Sequence, residues 1–265
     1  MLTAYALRPG RVLDSLEDAA RHGARVVVRL EGHPYADAAG ELIADNRRAI
    51  KALRRLGADA KLVDTNARNG PALHMKAAVC DGVAYLDDRN WPDRGDTIVR
   101  DNFRNDVAAI EAAALKTAAV RSEEFWTNKA QALDAERRLL ASATQAKRVD
   151  VESESFGSGS GTYGALKRLA ESGVPCRLIV AQRDLNAKSE RALHSLVQSG
   201  VAVRVSDSDE KMAIVDGARA WVGSANSTSS HKRRSDRLGT ANGRARRPQT
   251  LARAIQNHLE RCDRF

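Results

Sequence analysis

Apolar residues recur at helical spacing in several segments of the chain, and each of these segments ends at a glycine. Residues 8–23 show this pattern, and residues 41–57 show it again. A short apolar run follows each of them, at 24–30 and 60–64, which is typical of a buried strand. This alternation of helix and strand predicts an α/β fold with a largely parallel sheet covered by helices.

The second half of the chain repeats the pattern of the first half. The stretch KAAVCDG, which begins at Lys76, returns as KMAIVDG, which begins at Lys211. The interval from lysine to aspartate is the same in both copies, and an Asp-Gly pair and a short strand-like run follow each time. Self-similarity of this kind indicates an internal duplication, so we expect two pseudo-symmetric halves.

The duplication sets the expected domain boundaries. Residues 1–106 form the first half and residues 149–265 form the second. Residues 107–148 are rich in alanine and charged side chains and predict a helical connector, either one long helix or two shorter ones. The GSGSG stretch at 157–161 predicts a loop, without the lysine and spacing of a nucleotide-phosphate loop.

Composition adds a preference for anionic partners. The chain has 43 Lys and Arg against 34 Asp and Glu, a formal charge of +9. This balance favours phosphodiesters, nucleic acid or an anionic membrane surface, although a generally charged surface would give the same count. Residues 231–248 are strongly basic and predict a surface loop that could contact an anionic membrane peripherally.

The remaining compositional signals predict a cytoplasmic protein without a membrane span or a signal peptide, because no apolar run is long enough for either. We expect a monomer, because the duplication supplies both lobes within one chain. The three cysteines, Cys80, Cys176 and Cys262, lack metal-ligand spacing. We therefore expect reduced, buried thiols, no metal and no cofactor.

Candidate chemistry centres on a histidine and two lysines. In an extended strand, His74 and Lys76 share one face because residues two apart project to the same side. The second copy adds Lys211, and asparagines follow in both copies at Asn90 and Asn226. Folded back on each other, the copies would surround a phosphate with two ammonium and two amide donors. His74, as neutral imidazole, could then attack phosphorus and form a phosphohistidine without a metal.

Other residues near these motifs receive supporting roles. Asp81 and Asp216 begin the turns after their strands, and we expect them to hold the turns and orient neighbours. Ser224 is a candidate hydroxyl donor to the phosphate. Trp91 and Trp221 flank the motifs and are expected to pack in the core.

These motifs resemble those of the phospholipase D superfamily, whose signature is His-x-Lys-x4-Asp followed by Gly-Ser-x-Asn. HMKAAVCD at 74–81 matches the first element, GSAN at 223–226 matches the second, and DDRN at 87–90 is an altered counterpart. The resemblance implies two phospholipase D-like lobes, each a mixed, mostly parallel sheet flanked by helices. It also implies an active site between the lobes and a two-step reaction through a histidine adduct.

The second motif, at 209–226, departs from the family pattern because Asp209 stands where the other histidine is expected. An aspartate beside lysines is ionised at neutral pH and holds almost no proton for a leaving group. It could still act as the base for water. Three interpretations remain open: a desolvated Asp209 acts as the acid, His231 replaces the missing imidazole, or the site binds phosphodiesters with little turnover.

The predicted function is a phospholipase D-type phosphodiesterase that hydrolyses or transphosphatidylates a phospholipid through His74. A metal-independent nuclease of the same superfamily is the main alternative, and a weakly active or non-catalytic phosphate-binding protein is the third. Aromatic residues make up only 4% of the chain, which provides little for either a membrane interface or base stacking.

Overall fold

The chain forms two compact units. The first consists mainly of Met1–Asn128, and the second consists mainly of Lys129–Arg233. They are described from a computed structural model. The structure describes residues 1–34, 37, 39–63, 73–87, 90–91, 98–101, 104–115, 126, 129–207, 210–228, 241–242 and 263–264.

The first unit holds a sheet of six strands in the order β3-β2-β1-β4-β5-β6. The strands β1, β2 and β3 run parallel, and β4, β5 and β6 pair antiparallel. In chain order its elements are β1 (Leu2–Ala4), α1 (Arg11–Arg21), β2 (Val27–Glu31), α2 (Glu41–Arg55), β3 (Asp59–Val63), β4 (Ala77–Cys80), β5 (Val83–Asp87), β6 (Ile98–Asp101) and α3 (Arg104–Leu115).

The second unit holds a sheet of seven strands in the order β12-β11-β10-β7-β8-β9-β13. Its elements are α4 (Lys129–Ala141), β7 (Val149–Ser153), α5 (Gly161–Glu171), β8 (Cys176–Ala181), α6 (Ala187–Gln198), β9 (Ala202–Ser206), β10 (Lys211–Val215), β11 (Arg219–Gly223), β12 (Ala241–Asn242) and β13 (Asp263–Arg264). A short 3-10 turn, Gln182–Asp184, follows β8.

The two sheets share one topology, which confirms the predicted α/β fold and its duplication. When β7 to β12 are matched in order with β1 to β6, the strand order and every strand direction agree. The second sheet has one additional edge strand, β13. Both sheets are mixed, and their parallel share is smaller than the sequence suggested. The reason is that a two-residue turn joins β4 to β5 and a three-residue turn joins β10 to β11, whereas parallel strands need a long crossover.

Each of these turns contains an Asp-Gly pair in the left-handed region. Asp81 has φ 48° and Gly82 φ 76°, while Asp216 has φ 56° and Gly217 φ 64°. Two consecutive residues with positive φ define the hairpin turn that matches strand twist, and Asp-Gly is among its preferred sequences. Asp216 also accepts a hydrogen bond through Oδ1 from the backbone N–H of Arg148 at 2.9 Å.

The helices of the 107–148 region divide between the units. In the described residues the region forms two helices, α3 and α4, not one long helix. The first of these packs against β4 and β5, and the second packs against β10, β11 and α5. Neither these helices nor any other in the described part of the chain combines the length and hydropathy needed to cross a membrane.

The tryptophans and cysteines differ in how far they are buried. Trp221 is buried, and its Nε1 donates to the Ala132 carbonyl at 2.9 Å, while Trp91 packs against the core of the first unit. Cys176 is buried as expected, but Cys80 is exposed, contrary to the expectation of buried thiols. Cys80 is the last residue of β4, on the outward side of its alternation and next to the hairpin turn.

Asn46 of α2 fixes the loops at the ends of β1 and β2. Its side chain is fully buried, and its Oδ1 accepts from the Leu7 N–H at 2.9 Å. Its Nδ2 donates to the carbonyl oxygens of Tyr5 and Glu31, both at 2.9 Å. One amide group therefore satisfies three buried backbone groups of two loops.

We expect Asn46→Ala to lower the free energy of unfolding by about 2–4 kcal/mol, because it leaves buried donors and acceptors without partners. Lys51→Ala, at an exposed position of the same helix, should change it by less than about 0.5 kcal/mol. Urea denaturation of both variants checks this expectation. Equal stabilities would show that Asn46 does not hold the loops.

Candidate functional site

His74 and Lys76 are in direct contact in the first unit. The Lys76 Nζ lies 2.7 Å from Nδ1 and 3.1 Å from Nε2 of the imidazole, and it donates to the His74 carbonyl at 3.0 Å. Lys76 is only 2% exposed. The two side chains share a face as predicted, but the segment is not part of the strand, since β4 begins at Ala77.

Tyr5 closes this pair from the end of β1. Its ring centroid lies 4.9 Å from that of His74 with a tilt of 51°, and the Lys76 Nζ lies 5.6 Å from the Tyr5 centroid. The first distance is that of a favourable aromatic pair, and the second is within the range of a cation–π contact. The ammonium is thus held against two rings.

The contact with Lys76 bears on the protonation state of the His74 imidazole. An ammonium group has three donors and no acceptor, so the ring nitrogen that it approaches must carry a lone pair. That arrangement fits neutral imidazole and disfavours imidazolium. Neutral imidazole is the nucleophilic form, and its single lone pair becomes available for attack when the ammonium turns from the ring to a phosphate oxygen.

Glu31, the last residue of β2, holds the chain on the N-terminal side of His74. Its side chain is fully buried and accepts hydrogen bonds from the backbone N–H groups of His33, at 2.8 Å, and Leu73. Leu73 immediately precedes His74. The carboxylate therefore ties the motif segment to the end of the neighbouring strand.

Lys211 occupies the corresponding place in the second unit, at the start of β10, and is 3% exposed. Its Nζ lies 3.0 Å from Oε2 of Glu154. The other oxygen of Glu154 accepts from Arg183 at 2.8 Å. Asn226 donates from Nδ2 to Glu154 Oε2 at 3.4 Å, so Lys211 and Asn226 meet on one carboxylate.

The predicted phosphate-binding segment at 223–226 is fixed from two sides. Asn226 Oδ1 accepts from the Ser155 N–H at 3.3 Å, and the next residue, Ser227, donates its N–H to Ser153 Oγ at 3.1 Å. Ser224 is buried, and within the described residues its Oγ has no hydrogen-bond partner. A hydroxyl donor in this segment is therefore present, and its role stays a prediction.

Register shows that Tyr5 and Glu154 are equivalent positions. Thr3 pairs with Ala77 in the first sheet, and Glu152 pairs with Met212 in the second. Ala77 and Met212 each follow a motif lysine, so the residue two places after each paired position is Tyr5 in one copy and Glu154 in the other. The duplicated lysine thus meets an aromatic ring in the first copy and a carboxylate in the second.

Three residues that contact the site lysines or their partners were not predicted from the sequence: Tyr5, Glu154 and Arg183. Each is distant along the chain from the lysine that it serves, so the motif alone does not identify it. The signal that could have found the first two is positional, because both directly follow the first strand of their sheet. Arg183 lies in the 3-10 turn after β8 and carries no such signal.

Several predicted site residues are not brought to these contacts by the described structure. Asn90 is exposed. Asp209 and His231 lie outside the described residues, as does all of the basic segment 231–248 except residues 241–242. In the part of the chain that is described, no group of three or more His, Cys, Asp or Glu could hold a metal ion.

Glu136 of α4 is a buried acid beneath the segment that carries Asn226. It is 1% exposed, and its Oε1 accepts from Ser227 Oγ at 3.2 Å. Burial raises the pKa of Glu136 to about 7, against the opposing effect of hydrogen bonds from the Thr162 and Ser227 hydroxyls. The carboxyl is therefore protonated over most of the acidic range in the folded protein.

Glu136→Gln should become progressively more stable than the wild type as pH rises from about 4.5 to 7. The raised pKa means that the folded wild type is penalised once the unfolded carboxyl ionises near 4.5, whereas the amide is neutral throughout. We expect a relative gain of about 2–3 kcal/mol, constant above pH 7. Urea denaturation between pH 4 and 8 measures it, and a gap independent of pH would contradict the assignment.

Glu154→Gln should show the opposite pH dependence. Burial raises the pKa of Glu154, but the Lys211 charge and the hydrogen bonds from Arg183 and Lys211 outweigh it and lower the pKa to about 2. The stabilisation is therefore complete above the unfolded value of 4.5 and is lost as pH falls towards 2. At pH 6 we expect the variant to be less stable by about 1–2 kcal/mol, after allowance for solvent screening.

The measurement is the difference in unfolding free energy between wild type and Glu154→Gln from pH 6 down to 2. Our assignment requires that difference to shrink below pH 4.5. A difference that widens on acidification would exclude the proposed ion pair.

Comparisons with known proteins give a match to one domain model and likenesses to solved structures. Residues 137–241 match the family model "Cardiolipin synthase, PLD-like domain". Phosphatidylserine synthase of Haemophilus influenzae Rd KW20 aligns over 100% of this chain and 81% of its own, at 12% identity and TM-score 0.65. Polyphosphate kinase of Porphyromonas gingivalis aligns over 98% of this chain at 17% identity and TM-score 0.63, and the chain spans only 42% of that kinase.

A phospholipase D family member, Nuc from Salmonella typhimurium, also matches over 49% of this chain and 90% of its own, at 19% identity and TM-score 0.41. No curated protein matches the sequence. The two full-length structural likenesses establish the fold, and the family model identifies the second half as a PLD-like domain. The match is to residues 137–241, so it is that segment which is similar to the PLD-like domain.

Proposed function

We propose that the protein is a phospholipase D-type phosphodiesterase in which His74 is the nucleophile. The contact between His74 and the buried Lys76 ammonium carries the proposal, because it favours the neutral, nucleophilic form of the ring beside a cation suited to a phosphate oxygen. The similarity of residues 137–241 to a PLD-like domain supports a phosphodiester substrate.

In the first step a ring nitrogen of His74 attacks phosphorus. The N–P bond forms as the bond from phosphorus to the leaving alcohol oxygen breaks, and that oxygen takes up a proton from solvent water. Negative charge accumulates on the non-bridging oxygens, where Lys76 would stabilise it electrostatically. The product is a phosphohistidine and a released alcohol.

In the second step water or an alcohol attacks the phosphohistidine, the N–P bond breaks, and His74 is regenerated. Attack by water gives hydrolysis, and attack by an alcohol gives transfer. We keep Asp209 as the candidate base for this step. General acid catalysis is typically worth about 10²–10⁴-fold, so replacement of the second histidine by Asp209 slows such an enzyme without necessarily abolishing turnover.

Lys211, Asn226 and Ser224 are proposed as further phosphate-binding groups. The carboxylate of Glu154 holds Lys211 and Asn226 in fixed positions before any substrate arrives. Fixed donors cost little reorganisation when charge develops, which is the basis of electrostatic preorganisation. Asn90 is proposed for the same role in the first copy, and Asp81 and Asp216 for holding the turns.

For the substrate we propose a phospholipid. The family model that matches is described as a cardiolipin synthase PLD-like domain, and a phosphatidylserine synthase shares the fold over the whole chain. Both descriptions concern phospholipids. A nuclease is the competing outcome and is distinguished by the experiment below.

His74→Ala should lower phosphodiesterase activity by at least about 10³-fold, since the group that forms the covalent intermediate is removed. His22→Ala is the matched control, because His22 is an exposed histidine of the same unit that contacts only its own helix in the contacts described. The control should retain wild-type activity. Comparable losses in both variants would argue against a nucleophile at position 74.

Covalent labelling tests the chemistry and the substrate together. The full chain is incubated in EDTA with phosphatidylglycerol vesicles or with single-stranded DNA, quenched in alkali, and digested for mass spectrometry. A base-stable, acid-labile adduct on His74 with lipid alone supports the proposal. An adduct with DNA alone favours a nuclease, and the absence of an adduct with both substrates at high protein concentration contradicts a phosphohistidine mechanism.

A further inference from the structure

A groove on the first unit lies along α2 and β3 and is lined mainly by cationic side chains. Its volume is about 530 Å³. The residues that line it are Arg47, Ile50, Lys51, Arg54, Arg55 and Leu62. Four of these six carry a positive charge, two are aliphatic, and none is acidic.

Four arginines outside the groove, on α1, α2 and α4, pair with acids of the same helix. The pairs are Arg21 with Glu17, Arg48 with Asp45, and Arg137 and Arg138 with Asp134. The groove differs, because none of its four cations forms an ion pair within the described residues. Arg54 donates to the Ala60 carbonyl at 2.6 Å, which leaves its charge uncompensated.

This arrangement of charges works against the helix. Arg47, Lys51 and Arg55 are spaced four residues apart, and like charges at that spacing destabilise a helix. The last turn tolerates cations because it lies at the negative end of the helix dipole, but Arg47 and Lys51 lie away from that turn. An anion in the groove would remove the repulsion.

We infer that this groove binds the phosphate of an anionic phospholipid at a membrane surface. Cations of the groove would contact the phosphate, and Ile50 and Leu62 would contact the glycerol and first acyl carbons. Nucleic acid fits less well, because no aromatic side chain lines the groove for a base to stack on. The volume is in the range of small-ligand sites.

The inference does not depend on the proposed catalytic function, because none of the groove residues is in the candidate site. It also differs from membrane contact through residues 231–248. A protein that binds anionic vesicles through α2 could do so with or without phosphodiesterase activity. The test therefore measures binding only.

The experiment compares two triple variants of the full chain with equal loss of charge. The groove variant carries Arg47→Gln, Lys51→Gln and Arg55→Gln. The control carries Lys147→Gln, Lys188→Gln and Arg191→Gln, at exposed positions of the second unit. Binding is measured by co-sedimentation with phosphatidylcholine vesicles that contain phosphatidylglycerol, and with vesicles of phosphatidylcholine alone.

We expect the wild type to bind the anionic vesicles and not the neutral ones. At about 1 kcal/mol for each cation near an anionic surface, the groove variant should bind roughly 100-fold more weakly. The affinity of the control variant for the anionic vesicles should fall by less than about 5-fold. Lys51→Gln alone should lose about 5-fold, which keeps the test valid if the triple variant fails to fold.

Thermal unfolding gives a second readout. Removal of repulsive pairs should leave the groove variant at least as stable as the control. Equal loss of binding in the two triple variants would overturn the inference, as would a wild type that ignores anionic vesicles. Retention of vesicle binding by the groove variant together with loss of binding to single-stranded DNA would assign the groove to nucleic acid instead.

Discussion

Burial of a lysine ammonium is the constraint on which both copies of the fold depend. Removal of a charged group from water costs several kcal/mol unless partners replace the lost hydration. Lys76 and Lys211 are each almost completely buried at the same position of the duplicated topology. In each copy the residue directly after the first strand of the sheet contacts the lysine ammonium. The buried lysine therefore constrains which residue can occupy that position.

The two copies meet this constraint with different chemistry. In the first, Lys76 contacts two rings and a carbonyl oxygen, which are uncharged groups when the imidazole is neutral. In the second, Glu154 neutralises Lys211, and Arg183 restores a net positive charge. A reactive imidazole is compatible with the first environment, because a neutral ring accepts from the ammonium. The second environment instead provides hydrogen-bond donors in fixed positions. The difference between the two environments follows from one pair of equivalent positions, occupied by Tyr5 in the first copy and Glu154 in the second.

Local signals in the sequence were sufficient for most of the fold. Helices α1 and α2 end before glycines with positive φ, and each DG pair forms the turn that its sequence favours. Strand periodicity predicted that His74 and Lys76 share a face, and they are in contact although both lie just before β4. The partners of the lysines were not predicted, because they depend on strand register between segments distant in the chain. The exposed Cys80 was also missed, since an apolar run does not reveal which side of a strand end faces water.

A net charge of +9 describes groups in three physically different situations. The two motif lysines are buried, and each is held by specific partners within its own unit. Many surface arginines are balanced within their own helix and contribute little to either stability or long-range attraction. The cations of the α2 groove are neither buried nor balanced, and their mutual repulsion is a cost to the folded chain. Composition alone predicted an anionic partner. The contacts of individual side chains are what distinguish the lysines of the candidate site from the cations of the α2 groove.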